Sequence, residues 1–160
     1  VTILAIDGSA LLHRYLPGSG RTAVARVLAG HRHWVVSAAA RTEVTAAVLR
    51  LVDRLGSPAG DGRAVALGHL AVDWDVFWQI PVDDDCLHRA SRLAVDHGLA
   101  TASALQLAGF DRLPRTATIL TADRPMAVAA ETLGFAGIEL LDSTRSAHGL
   151  LASPSGGHGA

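Results

Sequence analysis

The chain reads as an α/β protein, a three-layer α/β/α sandwich around a five-stranded parallel sheet, and three observations predict it. Short apolar runs alternate with longer stretches of helical periodicity through most of its 160 residues. The runs are continuous in apolar character, as strands covered on both faces must be. Each is closed by turn or capping residues, as Ile6 is by Asp7-Gly8-Ser9.

In order, Thr2–Ile6 forms the first buried strand, and a short helix follows over Ala10–Tyr15, broken by Pro17-Gly18-Ser19-Gly20. Arg21–Ala29 is helical and stops at Gly30. Trp34–Val36 is the second strand. Ser37 then caps a long helix whose Val44, Ala47, Val48, Leu51, Val52 and Leu55 keep one face apolar, until Gly56-Ser57-Pro58 ends it. Asp61–Val72 is helical, and the aromatics of Val76–Ile80 suit a third strand. Asp83-Asp84-Asp85 opens a helix that ends at Gly98, acids at a helix start being favoured by its dipole. A helix at Thr101–Gly109, a strand at Thr118–Leu120, a helix at Pro125–Leu133 and a strand at Ile138–Leu141 complete a single domain over residues 1–142. Residues 143–160, rich in Ser, Gly and His, are expected to be a flexible tail.

Composition narrows the function classes. Hydrophobic residues make up 49% and charged residues 18%, which excludes a disordered chain. No apolar stretch approaches the ~18 residues a membrane span needs, and the chain enters a strand with no leader before it, so a cytoplasmic protein is expected. Cys86 is the single cysteine, which excludes an internal disulfide and a multi-cysteine metal site. All 14 basic residues are arginine. No acid stands between Asp7 and Glu43, whereas Arg14, Arg21, Arg26, Arg32 and Arg41 do, a local excess able to hold a phosphate backbone although the net charge is −1. Scattered, solvated arginines on two helices are the other explanation.

In a parallel sheet, ligands bind beyond the carboxyl ends of the strands, where strand order reverses. Asp7 and Asp123 follow the first and fourth strands, the natural neighbours of that reversal, and Glu43 sits early in the long helix. Carboxylates gathered there suit a hard divalent cation. Each also has a plainer use: Asp7 and Asp123 as helix caps, Glu43 as an exposed partner of Arg50.

Four segments carry a resemblance: Ile6-Asp7-Gly8-Ser9-Ala10-Leu11, Arg41-Thr42-Glu43-Val44, Gly98-Leu99-Ala100-Thr101-Ala102-Ser103-Ala104-Leu105-Gln106-Leu107-Ala108 and Leu120-Thr121-Ala122-Asp123-Arg124. In this order and separation the chain resembles the PIN-domain nucleases, and among them the VapC-type toxins of bacterial toxin–antitoxin pairs, over Thr2–Leu141. The resemblance implies a metal-dependent endoribonuclease with Mg²⁺ or Mn²⁺ held by Asp7, Glu43 and Asp123, and Ser9 and Thr121 supporting them. It also implies RNA as substrate, contacted by the arginines of Arg14–Arg41, a cognate antitoxin as partner, and a homodimer.

One position departs from the pattern. Where the family reads Asp-Ala-Leu-His-Leu-Ala, this chain reads Ser103-Ala104-Leu105-Gln106-Leu107-Ala108. Ser103 can cap a helix as Asp does and can offer an oxygen to a metal, but a unit charge about 4 Å from a divalent ion is worth ~8 kcal/mol before desolvation is counted. The alternative is a catalytically degenerate PIN module that binds RNA or a protein partner without cutting.

Overall fold

The structure, a computed structural model, describes residues 2–16, 19–54 and 61–141. Of the break expected at Pro17-Gly18-Ser19-Gly20, the first two residues lie outside the described residues, as do the stop at Gly56-Ser57-Pro58 and the tail at 143–160, whereas Ser19 and Gly20 begin a helix. Five strands, β1 (Ile3–Ile6), β2 (His33–Ser37), β3 (Trp78–Ile80), β4 (Thr118–Thr121) and β5 (Gly137–Leu140), form one sheet in the order β3-β2-β1-β4-β5. Every pairing is parallel. The chain therefore runs outward from β1 through β2 to β3, then returns to the other side of β1. The reversal falls between β1 and β4.

Seven helices cover the sheet: α1 (Gly8–Leu12), α2 (Ser19–Ala29), α3 (Ala38–Arg54), α4 (Asp61–Val76), α5 (Asp84–His97), α6 (Thr101–Phe110) and α7 (Arg124–Thr132). Side chains alternate across a strand, and β1 divides its own accordingly. Leu4 and Ile6 join a core with Val24, Val44, Leu70 and Trp74 from α2, α3 and α4. Ala5 joins a second core with Leu93, Leu107 and Met126 from α5, α6 and α7. Truncating a fully buried leucine such as Leu107 costs about 2–5 kcal/mol in transfer and cavity energy.

Local signals explain most boundaries. The carboxylate of Asp83 accepts the N–H of Cys86 at 2.9 Å and caps α5, which ends on Gly98 in the left-handed region at φ 64°. Asp123 caps α7, whose second residue is Pro125. Two boundaries differ from the sequence expectation. Helix α4 runs on to Val76, leaving only Trp78–Ile80 to β3, because Trp74 and Phe77, one helical turn apart, both face the core with ring centroids 5.8 Å apart. Helix α1 stops at Leu12 and the chain continues in turns through Tyr15. No helix among the described residues is long and apolar enough to cross a membrane.

Candidate functional site

Asp7 extends the β1–β4 ladder by one hydrogen bond, its N–H reaching the carbonyl of Leu120 at 2.9 Å, so its side chain stands at the carboxyl end of the sheet. It is only 2% exposed. Two hydroxyls converge on its Oδ2: Thr121 Oγ1 donates at 2.8 Å, and Ser9 Oγ donates as well. Each hydroxyl also accepts from the loop after β4, Ser9 from Ala122 N–H and Thr121 from Asp123 N–H, both at 2.9 Å. Asp7 occupies the position before α1 but makes no side-chain cap there. Its carboxylate is spent inside the crevice instead.

Helix α6 supplies the opposite wall. Nearly every side chain from Ser103 to Phe110 is buried, and a helix apolar on all sides belongs in a core. Its two interior polar residues, Ser103 and Gln106, are three apart and so share a face. Ser103 does not cap the helix, as the sequence suggested it could. It lies within the first turn, and its hydroxyl donates to Asp123 Oδ2 at 2.5 Å. Gln106, 1% exposed, donates through Nε2 to Glu43 Oε2 at 2.8 Å and accepts the Gly8 N–H on Oε1 at 2.7 Å. Gly8 is required at this crowded point: a Cβ there would stand 2.8 Å from Glu43 Oε2.

Burial raises the Asp7 carboxyl to about 6; the Ser9 and Thr121 hydroxyls pull it down, while Glu43 and Asp123 push it up further. Burial also raises Glu43, with Gln106 lowering it and Asp123 raising it. Asp7, Glu43 and Asp123, which stand 36 and 80 residues apart in the chain, are thus within electrostatic reach of one another. Among the described residues, however, no three acidic, histidine or cysteine side chains are arranged as a metal cage. The donor chemistry nevertheless fits a hard divalent cation, being carboxylate and hydroxyl oxygen. The hydrogen bonds to Asp7 and Glu43 fall on Oδ2 and Oε2, leaving Oδ1 and Oε1 without a partner among the described residues.

The five arginines are not one tract. Arg14 is held by Asp73 on α4, with Nε and Nη2 reaching its two oxygens at 2.7 and 2.8 Å. Arg21 lines a neighbouring cavity of about 360 Å³ with Tyr15 and His69. Arg26 is exposed on α2, and Arg32 precedes β2 at the end of the sheet opposite Asp7. Arg41 is exposed on α3, two residues ahead of Glu43. Of the tryptophans, Trp74 is in the core, Trp34 packs against it, and Trp78 is 63% exposed on the edge strand.

Sequence reasoning noted Gln106 only as a departure and gave it no role. Its signal was available: a lone amide in an apolar helix must find partners when buried. The cluster of Arg14, Tyr15 and Asp73 was missed altogether.

No family model matches the chain, and no curated protein matches it in sequence. Solved structures do resemble it. A toxin–antitoxin complex from Klebsiella pneumoniae superposes with a TM-score of 0.57 at 18% identity, covering 84% of this chain and 94% of the other. PAE2754 from Pyrobaculum aerophilum gives 0.59 at 19% identity, covering 87% and 84%. VapBC2 from Rickettsia felis, bound to a DNA fragment from its promoter, gives 0.58 at 12%, covering 88% and 100%. At these identities the likeness is one of architecture, and the strand order and helix placement above are those of a PIN-like α/β fold.

Proposed function

We propose that this chain is the toxin component of a toxin–antitoxin pair and a metal-dependent endoribonuclease, cutting RNA phosphodiester bonds at the crevice between β1 and β4. The observation that carries the proposal is the convergence of Asp7, Glu43 and Asp123 at the carboxyl end of the sheet, with Asp7 buried and without a cationic partner among the described residues. Mg²⁺ or Mn²⁺ held there would lower the pKa of a bound water and stabilise charge on the phosphate. The protein's own part is orientation. Ser9 and Thr121 both address Asp7 Oδ2, which fixes the carboxylate and leaves Oδ1 for a cation. Arg41, exposed on the helix that carries Glu43, would meet the RNA backbone. The structural likeness to proteins from toxin–antitoxin complexes supports an antitoxin partner; a cytoplasmic location and a homodimer are part of the same proposal.

A second reading, a PIN-like module that binds RNA or a protein without cutting, is favoured by one specific feature. Neutral donors, Ser103 and Gln106, stand against Asp123 and Glu43 on the helix where the family carries its further acid. RNA cleavage with Mg²⁺ or Mn²⁺ separates the two. The wild type is expected to cut slowly, Asp7→Asn to lose about 100-fold or more, and Ser103→Asp to cut faster. Cleavage by Asp7→Asn at the wild-type rate would overturn the nuclease proposal. A silent wild type with activity gained in Ser103→Asp would establish the second reading.

A further inference from the structure

The hydrogen bonds from α6 bear on what a cation would meet at this site. Gln106 is committed to the protein through both amide atoms: its nitrogen, with no lone pair to offer a cation, donates to Glu43, and its oxygen accepts the Gly8 N–H at 2.7 Å. Its remaining function is to hold Glu43 in place through Nε2. Ser103 has a hydroxyl proton, and that proton is directed at Asp123 Oδ2. The other oxygen of Asp123 accepts the N–H of Met126 at 3.4 Å, so both oxygens of this carboxylate are engaged by the protein. Asp7 and Glu43 each keep one oxygen clear of the described donors; Asp123 does not.

We infer that Ser103 is a positioning residue that competes with a divalent cation for Asp123, instead of joining its ligands, while Gln106 holds Glu43 through Oε2 and leaves Oε1 open. Both keep mutually repelling carboxylates assembled while no cation is bound, and a cation that takes Asp123 Oδ2 does so against the Ser103 hydrogen bond. This assigns Ser103 a role opposite to that of a substitute ligand. It rests on the proposal that the site takes a divalent cation, and it is read without RNA.

The test is Mn²⁺ binding to the full chain by isothermal titration calorimetry, comparing wild type, Ser103→Ala and Ser103→Thr. Alanine favours the helix and removes the competing donor without adding charge. A charge-assisted hydrogen bond of this kind corresponds to roughly tenfold in an equilibrium constant, so Ser103→Ala is expected to bind Mn²⁺ about three- to tenfold more tightly. Ser103→Thr keeps the hydroxyl and is expected to stay within about twofold of wild type. Weaker binding by Ser103→Ala would show that the hydroxyl ligates the ion. Unchanged binding, or none by any of the three proteins, equally overturns the inference. A wild type that fails to cut RNA while Ser103→Ala binds Mn²⁺ more tightly removes the nuclease proposal and leaves this one standing. A cutting wild type with weakened Ser103→Ala does the reverse.

Discussion

Asp7 and Asp73 are two largely buried aspartates that differ in one ingredient. Each receives hydroxyl hydrogen bonds, Asp7 from Ser9 and Thr121, Asp73 from Tyr15. Burial pushes both carboxyls upward. Asp73 also holds the Arg14 guanidinium on both oxygens, and the net result lies below the usual carboxylate range. Asp7 has no cation, faces Glu43 and Asp123, and ends at about 6. Hydroxyls alone do not balance a buried carboxylate beside two others. The contrast marks Asp73 as finished structure and Asp7 as the carboxylate that the proposed cation would balance.

The largest effect that could break this contrast is the pH dependence of stability. The folded Asp7 carboxyl titrates near 6, above its ordinary 3.8, so between those values the folded state holds the proton more firmly than the unfolded chain does. Stability from this group is therefore highest below about pH 4, falls as pH rises toward 6, and stays low above it; the shift amounts to roughly 3 kcal/mol. Asp7→Asn is expected to remove that slope and to be more stable than wild type at pH 7, as read by urea unfolding at pH 4, 5, 6 and 7. Parallel wild-type and Asp7→Asn profiles would show that Asp7 is as well compensated as Asp73. Saturating Mn²⁺ is expected to flatten the wild-type slope in the same way, since a bound cation favours the charged carboxylate.

Asp73 should behave with the opposite sign. Its lowered pKa contributes stability above the ordinary carboxylate value, and that contribution is lost as pH falls through the depressed one. Arg14→Met is expected to cost about 1–2 kcal/mol at pH 7, a modest figure because the Arg14 side chain is 36% exposed and solvent screens the pair. The difference from wild type should shrink as pH falls below the ordinary carboxylate value and disappear only below the depressed value of the folded wild type. A deficit that persists unchanged at pH 3 would place the value of Arg14 in packing, not in charge.

What was legible in the sequence divides along the same line. Elements announced by local chemistry could be read directly: the strand ending at Asp7, the caps at Asp83 and Asp123, the glycine at Gly98. Asp7 and Asp123 stood out because each follows a buried strand, whereas Glu43 lies inside α3 and was singled out only in company with them. The end of helix α4 was misjudged because Val76 and Phe77 suit a strand by propensity, whereas the helix runs on to Val76 and Phe77 joins Trp74, Leu70 and Val44 in the core. Partnerships were not legible at all. Asp73 lies 59 residues from Arg14, and nothing near either names the other, so Arg14 read as an RNA contact. Gln106 stands 63 residues beyond Glu43 and 98 beyond Gly8, and its amide acquires meaning only when the sheet brings all three together.

The smallest effect sharpens the comparison most directly, because it deletes the same group on both sides. Tyr15→Phe removes a hydroxyl from Asp73 but leaves both guanidinium bonds, so the expected cost is under about 1 kcal/mol at pH 7. Ser9→Ala removes a hydroxyl from Asp7 and also strips the Ala122 N–H of its acceptor. With no cation to take up the charge, the Asp7 carboxyl should rise further above 6, and the fall in stability with pH should extend to correspondingly higher pH. Urea unfolding of both variants from pH 5 to 8 measures this. If Ser9→Ala leaves the pH profile in place while Tyr15→Phe moves its own, the hydroxyls at Asp7 are not what moderates its charge, and the supporting role given to Ser9 fails with it.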